Sequence, residues 1–454
     1  WSGVYPFGAE SFLNADLKYQ YIDFFTWYRS VLTGDANPFY SFAQGLGANT
    51  WGLISYYLAS PFNLLILLFD TKHLTLFVFV ITALRLGCIA CATVFFLCKR
   101  FGLSRAWSFI LAICFAWSAW SAPNVRNVMW MDNLIILPFA WLAIHTLVRF
   151  GRWRALITVI AVSVLACWYT AYMTICFLVL IFVFEWFALP RRTAGAPTDQ
   201  PTPAASFPRL TLRFFAGILL GLGLSSWLFL PTVLAMRSSG GAISPRVQEY
   251  IDWATALASG ILARMPLVAW VAVGLLALIL VVLVMIAIIT GLRGNHHQRT
   301  VRILWVSAAL ISIVCALAFA KVPTLAHIGT LITRCDFGQL LRSFLLGGWQ
   351  AERTPQFFAG TITVVLAIAM LVIRTIPSRT RQCAIALLML MVAATWLVPL
   401  HIVWCGMRYP KGFYARTGVY VTFFLIAMAA MAARELSLKW QATRLRSRIL
   451  NIGD

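Results

Sequence analysis

Acidic side chains are scarce in this sequence, with 14 Asp and Glu in 454 residues against 36 Lys and Arg. Charged residues of every kind make up only 11%, too few to solvate the surface of a water-soluble chain of this size. No HExxH, GxSxG, paired CxxC or EF-hand pattern occurs, which leaves protease, hydrolase and zinc readings without support. The polar links hold no Gly-rich nucleotide-binding loop, which disfavours an ATP-driven pump. A signal peptide is also missing and the first residue is Trp, so a first membrane span is expected to precede it.

What the chain has in abundance is apolar length. Hydrophobic residues make up 61% of it, and the mean hydropathy is +0.84. A hydrocarbon core of ~30 Å needs roughly 20 apolar residues per helix, so the recurring apolar runs read as membrane spans. Continuous runs exclude the alternating pattern of a barrel, leaving an all-α polytopic membrane protein of about ten spans. Candidate spans are 74–98, 106–121, 133–149, 214–236, 266–290, 303–320, 359–375, 383–400 and 417–433. Segment 155–189 would be ~50 Å long as one helix, at 1.5 Å per residue. Its centre, "CWYTAY" at 167–172, is aromatic and polar, which predicts two half-helices that meet there and return to the same side. Segment 51–69, with Pro61 and Asn63, predicts a re-entrant or interfacial hairpin. "GLGLSS" at 221–226 lies in a membrane run, where close helix packing explains the glycines. The ten cysteines fall mostly inside apolar runs and read as small packing residues, the Cys88–Cys91 pair included.

Charge gives the orientation. The links at 99–105, 149–154, 190–213, 291–302 and 374–382, with the tail after 433 and with Glu185 at a link's edge, carry a net charge of +17. The opposite links, including residues 1–73, carry +4, and Arg85 lies within a span. The positive-inside rule makes the first side cytoplasmic. Ten of the fourteen acids then fall on the outer face, beside the larger loops 1–73, 237–265, 321–358 and 401–417. Three regions follow: a first outer loop with interfacial helices (1–73), a multi-span bundle (74–433) and a basic cytoplasmic tail (434–454). The net charge of +22 sits in short links, which argues against nucleic acid as its partner.

Three outer stretches gather polar groups. In "ADLKYQYIDFF", Asp16, Gln20 and Asp23 stand at i, i+4 and i+7, on one face of a helix whose aromatics suit the membrane interface. A solvated polar face is the plainer account of the same spacing. "APNVRNVMWMDN" brings Arg126, Asn127 and Asp132 to a short loop; Asp132 either caps the next helix electrostatically or faces the same cavity as Asp16. "HIVWCGMRYPKGFYAR" supplies His401, Arg408, Lys411 and Arg416, which either snorkel to lipid headgroups or hold a lipid phosphate. Arg85 needs a partner within the membrane, because a buried charge there costs ~2.5–3.5 kcal/mol on insertion scales. His296 and His297 lie in a basic cytoplasmic loop with no specific role to point to.

These stretches also carry a resemblance. "YPFG" at 5–8, "ADLKYQYIDFF" at 15–25, "NPFYSFAQGLGAN" at 37–49 and "YYLASPFNLLILLF" at 56–69 resemble the N-terminal half of YfhO-like bacterial membrane proteins. "NVMWMDNLIILP", "YTAYM" at 169–173, "LPTVLAMRSS" at 230–239 and "WCGMRYPKGFYAR" at 404–416 follow in the family's order, so the likeness covers nearly the whole chain. The family's proteins are usually longer, so a C-terminal portion is expected beyond this chain as well. The family is similar to the GT-C glycosyltransferases, which take sugar from a polyprenyl-phosphate carrier outside the cytoplasmic membrane.

The resemblance implies transfer of a sugar from an undecaprenyl-phosphate donor to a cell-envelope polymer such as a teichoic acid. It places the catalytic acid in the first outer loop, where Asp16 stands, with Asp132 assisting or binding a divalent metal. No cofactor follows with certainty. Gln20, Arg126, Asn127, Arg408, Lys411 and Arg416 become contacts to substrate and lipid phosphate. One departure is visible: after Trp404 the family pattern is expected to read His-Gly-Phe, whereas this chain has Cys405-Gly406-Met407. A transporter or flippase of lipid-linked sugar would also use many spans, Arg85 and a broken segment, although no internal repeat stands out. A non-catalytic scaffold for envelope assembly is the third reading.

Overall fold

The computed structural model describes residues 3, 5–11, 13, 15–44, 46–188, 203–238, 333–347, 354–406, 413 and 416–450, with isolated positions 252, 255 and 259. It is an all-α polytopic membrane protein, and the one sheet among the described residues is a two-stranded hairpin. Chain contacts divide it into two compact units, Trp1–Trp186 with Pro190–Ile243, and Phe187–Leu189 with Ser244–Asp454.

The first unit opens with a wide π-turn, Leu17–Tyr21, that runs into α1 (Ile22–Thr33). A hairpin follows, β1 (Tyr40–Ser41) against β2 (Ala48–Asn49). Next comes a bent helical pair, Trp51–Leu58 and Pro61–Leu68, kinked by 91°. Pro61 cannot continue the first limb, since it lacks an N–H and its ring would clash, so the second limb starts on it. The break expected within 51–69 is thus present, as a 91° bend between two limbs rather than the full reversal of a hairpin.

Helix α2 (Leu74–Phe101) ends on Gly102, whose φ of +63° suits glycine at a helix C-terminus. The rest of the unit is α3 (Arg105–Ala116), α4 (Val128–Phe150), α5 (Arg154–Ala166), α6 (Trp168–Ala188), α7 (Phe207–Leu224) and α8 (Ser226–Ser238). The break between α5 and α6 falls at Cys167, within the expected aromatic centre. Side-chain contacts fix the direction of the two limbs. Asn133, near the start of α4, donates to the Cys167 carbonyl at 3.2 Å and to Thr170 Oγ1 at 2.6 Å. Glu185, near the end of α6, meets His145, near the end of α4, at 3.1 Å. The pair therefore rises and returns to the end carrying the basic links. The limbs are unequal, however: α5 has 13 residues, but the 21 of α6 make a full span rather than a half-helix.

Helices α5 and α7 approach closely through Gly217 and Gly221. A Cβ on Gly221 would stand 2.6 Å from Ile160 Cβ and 2.9 Å from the Ile157 carbonyl oxygen, so Gly221 serves packing as expected, whereas Gly223 of the same stretch meets open space. The expected span at 214–236 is divided, with α7 shifted toward its N-terminal side and α8 a separate helix. Thr232 of α8 donates to Ser55 Oγ at 2.7 Å, tying α8 to the bent pair.

In the second unit, α9 (Thr361–Val372) packs on α12 (Gly418–Leu450), and α10 (Ser378–Trp396) is followed by the short α11 (Val398–Trp404). From Val419 to Ala430 every side chain of α12 is buried, so this helix forms the centre of its unit.

Among the described residues five helices are long and apolar enough to cross a membrane, or six if the bent pair counts as one span. Expected spans 266–290 and 303–320 lie outside the described residues. Those at 106–121 and 359–375 appear as 12-residue helices, about 18 Å long at 1.5 Å per residue. The described residues thus supply five or six of the roughly ten spans expected.

Candidate functional site

Asp16 stands at the entrance to the first helix. The residue before it, Ala15, has φ +47°, a left-handed conformation that a Cβ makes costly and that concentrates at functional positions. Leu17, Tyr21 and Phe25 turn inward and are buried. Asp16 is half-buried beside them, whereas Gln20 and Asp23 are exposed. The polar trio expected on one face, two acids and an amide, is therefore split, since the π-turn widens the first turn beyond the α-helical period.

Around Asp16 the aromatics form a cluster. The Tyr57 ring lies 5.3 Å from Tyr21, 5.1 Å from Phe24 and 4.5 Å from Tyr56. The charge of Asp16 acts on the Tyr57 phenol. Tyr21 donates its hydroxyl to Asn127 Oδ1 at 3.4 Å, and Asn127 Nδ2 donates to Asn124 Oδ1 at 3.2 Å. Trp130 Nε1 donates to Tyr56 Oη at 3.3 Å. The first outer stretch and the second thus meet through Tyr21 and Asn127, with Asp16 on the rim. Asp16 carries no ion pair among the described residues. Arg126 is half-buried and donates to the Pro123 carbonyl at 3.0 Å, closing its own loop.

Asp132 is engaged elsewhere. Arg85 Nε donates to Asp132 Oδ1 at 3.0 Å and Nη2 to Oδ2 at 3.4 Å, which names the membrane partner of Arg85. The same Nη2 reaches Ser60 Oγ at 2.9 Å and Asn63 Oδ1 at 3.1 Å, at the kink of the bent pair. Arg85 is fully buried and Asp132 is 4% exposed. As the fifth residue of α4, Asp132 lies beyond the first turn, so a guanidinium rather than the helix dipole holds it.

A second buried carboxylate, Glu185, receives two bonds from Arg100, at 2.7 and 2.9 Å, and one from Trp141 Nε1 at 2.7 Å. With His145 on its other side, it joins α2, α4 and α6 at one end of the bundle. In sequence it reads only as an acid at the edge of a basic link.

The second unit holds His401, which is buried rather than snorkelling to lipid. Its Nδ1 lies 3.5 Å from Arg334 Nη1 and 3.4 Å from Thr417 Oγ1, and its Nε2 lies 3.5 Å from Cys405 Sγ. Burial, with the charges of Arg334 and Arg416 adding to it, pushes the imidazole well below its ordinary pKa and keeps it neutral. Cys405 thus fills a position beside His401, where the family pattern was expected to supply a histidine. Arg416 donates to the Phe413 carbonyl at 3.1 Å. Arg408 and Lys411 lie outside the described residues. Among the described residues no three His, Cys, Asp or Glu side chains gather to hold a metal ion.

Fold and side chains together define a polytopic helical membrane protein with a half-buried carboxylate at the rim of an aromatic and amide cluster. The family described as bacterial membrane protein YfhO matches residues 1–328 and 329–452. The chain belongs to that family. No curated protein and no solved structure matches it.

Proposed function

We propose that this chain is a GT-C-type glycosyltransferase of the bacterial cytoplasmic membrane. It moves a sugar from an undecaprenyl-phosphate carrier to a cell-envelope polymer of the teichoic-acid kind on the outer face. The observation that carries the reading is the state of Asp16: it is half-buried, free of any ion pair among the described residues, and near enough for its charge to act on the half-buried Tyr57 of the aromatic cluster. A general base needs an uncommitted carboxylate, and Asp16 meets that need. In the reaction Asp16 takes the proton of an acceptor hydroxyl as its oxygen bonds to the anomeric carbon. The bond from that carbon to the phosphate oxygen breaks, undecaprenyl phosphate leaves, and the anomeric configuration inverts.

Asn127 and Gln20 are assigned to the sugar and Arg126 to the substrate rim. Arg408, Lys411 and Arg416 keep the lipid phosphate on the chemistry of their side chains. Asp132 assists through position, by holding Arg85 and the bent pair below the cluster. An apolar groove of about 420 Å³ between α2 and α3, lined by Phe79, Ala83, Gly87, Ile113 and Trp117 with Phe7 over it, suits an isoprenoid chain.

The test is consumption of an undecaprenyl-phosphate sugar by the reconstituted protein when envelope polymer is supplied. Asp16→Asn is expected to lower the rate by about 10²–10⁴-fold, the usual contribution of a positioned base, while the protein still folds. Full activity in that variant would remove Asp16 from the role. A transporter or flippase remains the second reading, because a buried intramembrane ion pair and two broken segments are features of transport proteins. It requires movement of the lipid-linked sugar across vesicles with no acceptor present.

A further inference from the structure

From Ala36 to Phe69 the chain carries no Asp, Glu, Lys, Arg or His, 34 consecutive uncharged residues. The hairpin β1–β2 lies in this stretch, and the large apolar side chains at and beside it are exposed. Phe39 is 55% exposed, Phe42 79% and Leu46 102%. Large apolar groups with this much exposure call for a covering surface.

The hairpin is also held firmly at its root. Thr50 N–H donates to the Phe39 carbonyl at 3.2 Å, and Trp51 N–H donates to Asn49 Oδ1 at 2.9 Å. The Phe39 ring lies 5.5 Å from the Trp51 ring. Trp51 begins the bent pair, whose length and composition fit the membrane, so the hairpin is continuous with a membrane-embedded element. Near the tip, Gly47 has φ +121°, and a Cβ there would run into the Tyr40 ring, which fixes how the loop folds back. A two-stranded hairpin is marginal in water by itself. This one is fixed at one end and apolar at the other.

We propose that the hairpin Tyr40–Asn49 is a membrane anchor whose tip side chains, Phe42 and Leu46, insert into the interfacial layer of the bilayer. Its unpaired backbone groups limit the depth, because N–H and C=O groups without partners are costly in hydrocarbon. The strands therefore stay at headgroup level, and only the tip side chains reach the acyl region. An anionic polymer is a poorer occupant, since the tip offers it neither cations nor a row of hydrogen-bond donors. The anchor would hold the following bent pair at a set depth, whatever reaction the chain performs.

The experiment places a nitroxide at Leu46→Cys, and separately at Phe42→Cys, in the full chain. The protein sits in vesicles of equimolar phosphatidylglycerol and phosphatidylethanolamine. Asp35→Cys, at an exposed position, is the aqueous reference, and labelled unsubstituted protein corrects for native cysteines. Collision with dissolved oxygen should exceed collision with a water-soluble nickel complex several-fold at 46 and 42, and the order should reverse at 35. Nickel accessibility at 46 equal to that at 35 would overturn the anchor. So would shielding from nickel that develops only when envelope polymer is added, or only at protein concentrations that support self-association.

Discussion

Removing the carboxylate of Asp132 leaves the Arg85 guanidinium with no countercharge in a site without water access. Arg85 is fully buried, and its pair with Asp132 is bidentate, at 3.0 and 3.4 Å. Breaking a buried pair from one side costs about 3–5 kcal/mol, mostly from the charge left behind. Ser60 and Asn63 still accept from Nη2, which solvates part of that charge and puts Asp132→Ala at the lower end, about 3 kcal/mol. Replacing both members, Arg85→Met with Asp132→Leu, removes the stranded charge and should recover all but ~1 kcal/mol. With Asp132→Leu as the single variant that closes the cycle, at a similar ~3 kcal/mol, the coupling energy is about 2 kcal/mol or more. Reversible unfolding by SDS in mixed micelles, followed by helicity, measures all four proteins. A loss below ~1 kcal/mol for Asp132→Ala, the scale of an exposed pair, would refute the buried pair as described. Asp16→Asn should change stability by no more than ~0.5 kcal/mol in the same assay, since it breaks no ion pair.

Three further outcomes follow from contacts of the same kind. Gly221→Leu should cost about 1–3 kcal/mol by forcing α5 and α7 apart, read in the same unfolding assay, whereas Gly223→Leu, which meets open space, should be nearly neutral. Glu185→Gln should destabilise by about 3 kcal/mol, because Arg100 loses its counterion, and Arg100→Met in addition should restore part of the loss. His401 is neutral in the folded protein, with its pKa held below the ordinary value, so the unfolded chain binds the proton more readily. Stability should accordingly be full above about pH 6.5 and fall as the pH drops below it, by up to ~1.4 kcal/mol per unit until the folded pKa is reached. His401→Gln should flatten that slope.

The spans expected at 74–98, 133–149 and 417–433 were legible in the sequence because apolar length is a local property that lipid demands of each segment separately. The same holds for the break at Cys167 and the kink at Pro61, where composition changes within a few residues. Pairings across the fold left no such trace. Arg85 and Asp132 are 47 positions apart, and Arg100 and Glu185 are 85 apart, so nothing in either neighbourhood names the partner. Asp132 at the opening of a span reads equally well as a helix-dipole acid, and only the contact with Arg85 separates the two accounts. The face shared by Asp16, Gln20 and Asp23 failed for a different reason. It assumed a period of 3.6, and the chain winds its first turn more widely. His401 was read with the basic residues that follow it, but its spacing places it on the inner side of α11.

The two acids of the outer stretches share a side-chain type and differ in what the fold does with their charge. A carboxylate that accepts a bidentate guanidinium in a buried site is held in place by it. That makes Asp132 a support for the elements it joins. Asp16 has the opposite setting: it is half-buried and carries no ion pair among the described residues. Locking one acid also serves the other. Arg85 is bound both to Asp132 and to the kink at Ser60 and Asn63, so the pair fixes the limb that carries Tyr56 and Tyr57, whose ring meets Tyr21 at 5.3 Å. Loosening the pair by Arg85→Met with Asp132→Leu should therefore lower activity even where stability recovers, because Tyr57 would no longer be held at a set distance from the carboxylate. Activity unchanged in that double variant would show that the placement of the cluster does not depend on the pair.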